Sequence, residues 1–184
     1  YYRTKNAKLY TLPKNNIPIY ISSLVPESAY VAGYYGDGLL TVGGESDMQK
    51  YEQILSEFEK GARDSGKSSE NLPKAIELFV DYGTDPKESI DNFMKYWAGA
   101  LIPALFVNKI YTPEMSAQNG KVVGPDVIRN HACISENPED HIHFVKKYMD
   151  LGFTHIYFHS AASDQISFLK AYGKDVLPAL NKMG

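Results

Sequence analysis

Residues 17–44, IPIYISSLVPESAYVAGYYGDGLLTVGG, decide the fold. Ile17–Ser22 is a short β-branched run that breaks at Ser22-Ser23. A loop through Pro26 follows, then one helix with Ala29, Val31 and Ala32 on a small apolar face, ended by Gly33. Gly36–Val42 is a second strand. The helix in between makes a tight hairpin at Asp37-Gly38 the poorer reading, and the stretch is a βαβ unit with parallel strands. At its corner a strand's carboxyl end, rich in hydroxyls and free amides, faces the start of a helix. Backbone N–H groups there, with the helix dipole behind them, hold anions such as phosphate without a basic side chain.

The alternation continues outward. Residues 1–16 are polar, with Pro13 and the Lys14-Asn15-Asn16 turn cluster, and form an extended lead-in. Ser46 with Gln49 makes a capping box for a helix whose stripe is Met48, Tyr51, Ile54, Leu55, Phe58 and Ala62, down to Gly66. Ala75–Tyr82 is apolar and branched enough for a third strand. Asp85-Pro86 opens a helix with Ile90, Phe93, Met94 and Trp97 on one face, running to about Ile102, where Pro103 stops it. Residues 104–130, with Pro113, Gly120, Gly124 and Pro125, read as an irregular insertion. Asn137-Pro138 caps a helix through Leu151, with Gly152 at its C′ position. Thr154–His159 is a fourth strand, and a last helix runs from about Asp164 to Leu180.

Four strands alternating with helices, none joined by a hairpin, make this an α/β chain with a parallel sheet. A closed (β/α)8 barrel takes about 250 residues and eight strands. This chain has 184 residues and four expected strands, which is half a barrel with an insertion before its last helix-strand unit. It divides into a lead-in (1–16), a strand-and-helix part (17–82), a helical and irregular insertion (83–130) and a last helix-strand-helix (131–184), all in one partial barrel domain. Four parallel strands alone leave two unpaired edges and a bare face, so a second half is expected.

Composition narrows the function. Net charge is −3 and the apolar fraction 43%, with basic residues scattered, which argues against nucleic acid and anionic membrane and for a small-molecule ligand. A lone Cys133 excludes an internal disulfide and supplies no thiolate pair, as in a reducing, cytoplasmic setting. No apolar run approaches the roughly 18 residues of a bilayer span, and YYRTKNAKLY has no signal-peptide core. A start at Tyr1 rather than Met fits a fragment, a processed product or one half of a split protein.

No metal site is expected. His141 and His143, two apart on a helix, point to different sides, while His155 and His159, four apart in a strand, lie about 13 Å apart at ~3.3 Å per residue. His159 ends a strand, where α/β enzymes keep their chemistry, so it is either a pocket residue or a packed one. Walker, GxGxxG and GxSxG signatures are absent. Thr41-Val42-Gly43-Gly44 suits a phosphate or sugar contact, or an ordinary βα turn. Glu77 inside a strand needs a polar cavity or a partner. Trp97 sits on an apolar stripe and reads as core. Lys109, Arg129 and His131 are cations in or beside the insertion, each also readable as a solvated loop residue.

The ordered segments IPIYISSLVP, AGYYGDGLLTV, FEKGARDSGK, DPKESIDNFMKYWAG, ENPEDHIHFVKKYMDLGFTHIYFHS and DQISFL resemble the carboxyl-terminal half of luciferase-like flavin and deazaflavin oxidoreductases. The resemblance points to the branch with coenzyme F420-dependent glucose-6-phosphate dehydrogenases and archaeal deazaflavin-dependent secondary alcohol dehydrogenases, and WAGALIPALFVNKIYTPEM looks closer to the latter. It implies strands five to eight of a (β/α)8 barrel and coenzyme F420, with FMN as the alternative. It implies coenzyme phosphate contacts at Ser22, Ser23, Leu24, Val25, Glu27 and Ser28. Relatives usually carry glycine where Leu24 or Val25 stands. On the substrate side it implies Thr41, Lys109 and Arg129, the last with register uncertain among Arg129, Asn130 and His131. The sugar-phosphate branch has a Lys three residues after Thr41's position; here Gly44 stands there, which favours an alcohol over a sugar phosphate. The family's proton-transferring His and Glu lie in the amino-terminal half, so the resemblance assigns no catalytic residue here.

Two functions are therefore expected, with an FMN-dependent luciferase-like monooxygenase as a third possibility. One is part of a deazaflavin oxidoreductase moving hydride between an alcohol-type substrate and the coenzyme, with a missing amino-terminal barrel half and a homo-oligomeric state. The other is a non-catalytic half-barrel subunit that pairs through its open edges.

Overall fold

The computed structural model describes residues 3–44, 47–83, 85–101 and 112–183. Its sheet is built from β1 (Tyr20–Ser22), β2 (Gly38–Val42), β3 (Lys74–Asp81), β4 (Ala132–Ile134) and β5 (His155–Ser160). Every pairing is parallel. β1 lies on β2, β2 on the Lys74–Glu77 part of β3, and β5 along β3 from Ala75↔His155 to Val80↔Ser160. Apart from the short β4, the strands lie side by side in chain order, β1-β2-β3-β5, which is the order of strands in a barrel wall.

Five strands are present among the described residues, not the expected four. The addition is β4, which pairs Phe79–Asp81 of β3. β5 occupies one edge of β3, so β2 and β4 share the other edge end to end. Three residues directly after a helix give no readable period-2 pattern, and Ala132-Cys133-Ile134 was hidden for that reason. β4 also opens the segment from residue 131 that was read as helix-strand-helix alone. β1 and β2 begin later than expected, at Tyr20 and Gly38.

α1 (Pro26–Tyr35) does not stop at Gly33 but runs through it to a C-cap at Gly36. Gly33 is a packing glycine: a Cβ there would lie 1.9 Å from the Phe58 carbonyl oxygen, and one at Gly61 2.1 Å from that of Tyr30. Reciprocal glycines bring α1 onto α2 (Met48–Asp64) at backbone contact. The cap of α2 is Asp47, which accepts from the Gln49 N–H at 3.0 Å; Ser46 lies outside the described residues.

Asp85 caps α3 (Pro86–Tyr96) by accepting from the N–H groups of Lys87 and Glu88. A 3-10 turn, Ala98–Leu101, follows. The insertion is more regular than expected, since α4 (Pro113–Gly120) and α5 (Pro125–His131) lie within it. Both start at a proline, where the missing N–H is harmless. Asn137 caps α6 (Pro138–Leu151) and Gly152 ends it at φ 106°, as the spacing predicts. α7 (Gln165–Ala171), a π-turn (Tyr172–Val176) and α8 (Leu177–Leu180) close the chain. No described helix is long and apolar enough to cross a membrane.

Alternation along the strands sorts the core. Leu39, Ile76, Leu78 and Val80 pack with Ile54, Phe58, Val145 and Tyr148 of α2 and α6. Phe79, on the opposite face of β3, packs with Phe93, Val123 and Ile128 of the α3–α5 region. Glu77 shares that second face.

Candidate functional site

Three neighbouring strands end in a buried polar side chain. Ser23, just after β1, Thr41 in β2 and Asp81 in β3 are each at most 2% exposed. Ser23 Oγ, Thr41 Oγ1 and Asp81 Oδ1 have no hydrogen-bond partner among the described residues. Unpaired buried polar atoms are costly and uncommon. Three at the carboxyl ends of adjacent parallel strands mark the rim where (β/α)-barrel proteins place their ligands.

The strand ends stay in register past the last ladder residue. Ser23 N–H donates to the Leu40 carbonyl at 2.9 Å and Gly43 N–H to that of Glu77 at 2.7 Å. Above them lies a cavity of about 430 Å³ whose walls include Leu24, Val25, Thr41, Lys50, Leu101 and His131. The helix beside it starts uncapped: Val25 is the extended N-cap of α1 and makes no side-chain cap bond. Ser28 Oγ turns back to the Val25 carbonyl (3.0 Å), and Pro26 has no N–H. The N–H groups of Glu27 and Ser28 therefore belong to the unpaired first turn that favours anions.

Leu24, Val25 and Thr41 thus meet in one cavity. Ser22 is exposed and the Glu27 side chain, also exposed, puts a carboxylate in the first turn of α1. Lys109 lies outside the described residues. Arg129 is not brought to Thr41: it pairs with Asp126 at 3.2 Å and lines a separate cavity of about 600 Å³ with Cys133, Ser135, His143 and Lys147. Of the three residues left open in that register, His131 reaches the Thr41 cavity, its Nδ1 donating to the Val127 carbonyl at 2.8 Å. Gly44 closes the same corner. Its φ is 108°, its N–H donates to the Tyr148 hydroxyl at 3.0 Å, and a Cβ would lie 2.4 Å from the His131 carbonyl oxygen.

Glu77 has its partner. Its Oε1 lies 2.5 Å from His159 Nδ1, and both side chains are about one-third exposed, at 31% and 37%. Trp97 stands edge-on to the imidazole at 3.8 Å between centroids and Phe79 stacks on it at 5.7 Å. Trp97 is therefore a wall of a polar pair as well as part of the apolar cluster. Nδ1 donates to the carboxylate, which fixes the orientation of the ring.

The other histidines divide as their spacing predicts. His141 is fully buried; its Nε2–H donates to the Ser135 carbonyl and its Nδ1 accepts from the Tyr172 hydroxyl, each at 2.9 Å. Burial holds it below the ordinary histidine range. His143 and His155 are exposed. Burial also pushes the Cys133 thiol up to about 12, so it is no nucleophile at neutral pH. No three His, Cys, Asp or Glu side chains among the described residues group to hold a metal ion. Asp81 is a site residue that the sequence reading does not name; its signal there is a carboxylate closing the apolar strand IELFVD.

The chain is similar to several known proteins. The profile of the luciferase-like monooxygenase family matches residues 1–155. An F420-dependent glucose-6-phosphate dehydrogenase of Mycolicibacterium gilvum (strain PYR-GCK) is 29% identical over 184 residues, all of this chain and 54% of the relative. A solved F420-dependent secondary alcohol dehydrogenase, in complex with an F420-acetone adduct, superposes with TM-score 0.84 and 28% identity, covering 95% of this chain and 52% of that one. A coenzyme F420-dependent tetrahydromethanopterin reductase from Methanopyrus kandleri shares the fold, with TM-score 0.67 and 16% identity, over 89% of this chain and 51% of that one. The chain spans about half the length of the relatives it matches.

Proposed function

The chain belongs to the luciferase-like monooxygenase family, and from that premise we infer that it is the carboxyl-terminal half of a coenzyme F420-dependent oxidoreductase acting on a small secondary alcohol. The observation that carries this reading is the cavity at the ends of β1 and β2, where Leu24, Val25 and Thr41 meet beside an uncapped helix start. Its residues fit the coenzyme's phosphate-bearing tail. The unpaired N–H groups of α1 and the orphaned hydroxyl of Thr41 in the cavity wall are donors in need of an acceptor.

When bound, the deazaflavin supplies the hydride-accepting carbon. The chain's own residues hold and orient: the first turn of α1 binds phosphate oxygens, Leu24, Val25 and Leu101 exclude water, and Thr41 offers a hydroxyl to the substrate side. The acid and base of the reaction belong to the missing half. Gly44 supports an alcohol over a sugar phosphate. Its positive φ and the His131 carbonyl leave no room for a lysine side chain.

The test is spectroscopic. A complete barrel containing this chain should bind coenzyme F420 and, with 2-propanol, bleach the oxidised coenzyme's visible band, while glucose 6-phosphate leaves it unchanged. Binding of FMN with a flavin spectrum and no F420 uptake would overturn the reading, as would a complete barrel that takes up neither.

A further inference from the structure

We propose that a second cavity, between the β3–α3 and β5–α7 turns, binds a small organic amine through its ammonium group, with the Asp81 carboxylate at the floor. This does not rest on the coenzyme reading, because the cavity lies at another strand end and shares no lining residue with the first. It measures about 360 Å³ and its walls carry four carboxylates, Asp81, Asp85, Glu88 and Asp164, with no Lys, Arg or His among its lining residues.

Asp81 is the observation that points to a ligand. It is 2% exposed, it lines the cavity, and its Oδ1 has no partner among the described residues. The carboxylate has the Ser89 hydroxyl and the Tyr82 N–H beside it, and the Ser89 hydroxyl, with one proton, also reaches the Asp85 carbonyl at 3.2 Å; neither leaves Oδ1 with a partner. A buried carboxylate with one oxygen left unpaired is costly unless a cation meets it.

The other three carboxylates are already fixed by their own bonds. Asp85 accepts from the N–H groups of Lys87 and Glu88. Asp164 accepts from the N–H and hydroxyl of Ser167. Glu88 Oε1 takes the Ser163 hydroxyl at 2.9 Å, tying the two turns together. They form a negative rim around a negative floor, and they do not converge as a metal requires. A cation with its charge on N–H donors, large enough to fill the space between them, satisfies both facts.

The sign of the pH dependence follows. The groups facing Asp81 are Ser89 and Glu88 of α3, Tyr82 of its own strand end and His141 of α6; burial raises the Asp81 carboxyl above its ordinary range. An ammonium ion pulls it back down. Amine binding therefore tightens as pH rises from acid to neutral.

Calorimetric titration of the natural protein with putrescine tests the site. Saturable one-to-one binding is expected, weakened about tenfold or more in Asp81→Asn and severalfold in Glu88→Gln, with tetramethylammonium, which has charge but no N–H donor, failing to compete. Unchanged binding in Asp81→Asn, equal competition by tetramethylammonium or by sodium, or saturation by magnesium in place of the amine would each overturn it. If Asp81→Asn does not fold, Glu88→Gln decides: unchanged putrescine binding there overturns the proposal. Loss of amine binding with F420 uptake intact, or the reverse, separates this site from the coenzyme reading.

Discussion

Two cavities open at the carboxyl end of one sheet, and they differ in how the helix beside each begins. Both have an orphaned polar atom in the lining, Thr41 Oγ1 in one and Asp81 Oδ1 in the other. Beside Thr41, α1 starts at Val25 with no side-chain cap. Beside Asp81, α3 and α7 start at Asp85 and Asp164, whose carboxylates take up the first N–H groups. An uncapped start leaves donors for an anion; a capped start consumes them and adds acceptors, so the same corner turns toward cations.

The largest effect is expected at Gly44. Gly44→Lys forces a side chain at φ 108° and against the His131 carbonyl, and should cost about 3 kcal/mol or more, read as a lower urea midpoint with coenzyme binding lost and putrescine binding kept. Val25→Asp gives α1 the kind of start that α3 has: capping it should stabilise the fold by about 1 kcal/mol while weakening F420 about tenfold, since the new carboxylate competes for the same N–H groups. Equilibrium binding and thermal melts would separate the two effects.

Smaller changes distinguish the two orphaned atoms. Asp81 has its folded pKa raised above 3.8 by burial. The stability this represents is present below 3.8 and is lost as pH rises through the folded value. Asp81→Asn removes that loss, so without amine its advantage over the parent should grow from acid to neutral pH, to about 1–2 kcal/mol. Thr41→Val should give about 1 kcal/mol or less at every pH, because a hydroxyl does not titrate. His141, depressed from 6.5 by burial, makes the smallest contribution. Its stability is present above 6.5 and is lost as pH falls toward the folded value, a slope of under ~1 kcal/mol that His141→Gln should flatten.

How much of this was legible in the sequence depended on whether the signal was local. Caps at Asp85 and Asn137 and the left-handed stop at Gly152 are set within four residues of chain, and all three stand as read. Gly33 was misread as a stop because its reason lies across space, in the Phe58 carbonyl of another helix. β4 is too short, at three residues directly after a helix, to show a period of its own, and the strand that defines it, β3, is some fifty residues earlier. The pairing of Glu77 with His159, 82 residues apart, follows from strand order, which the alternation gave only as a class. Arg129 and His131 sit on one short helix, and which of them turns to Thr41 is fixed by helix phase, not by charge.

β4 also has a consequence for synthesis and damage. When synthesis has reached residue 81, β3 is bare along the edge that β5 later takes, and on the other edge Phe79–Asp81 is bare as well, because β2 reaches only to Glu77. That bare backbone waits some fifty residues of translation, until Ala132–Ile134 arrives to cover it. During that interval it is a sticky edge. Once β4 is seated, the excursion through α4 and α5 returns to the strand it left. A protease cut in the exposed Lys121-Val122 turn would leave both new ends held by the sheet, so the nicked chain should migrate as two pieces in denaturant and as one without it.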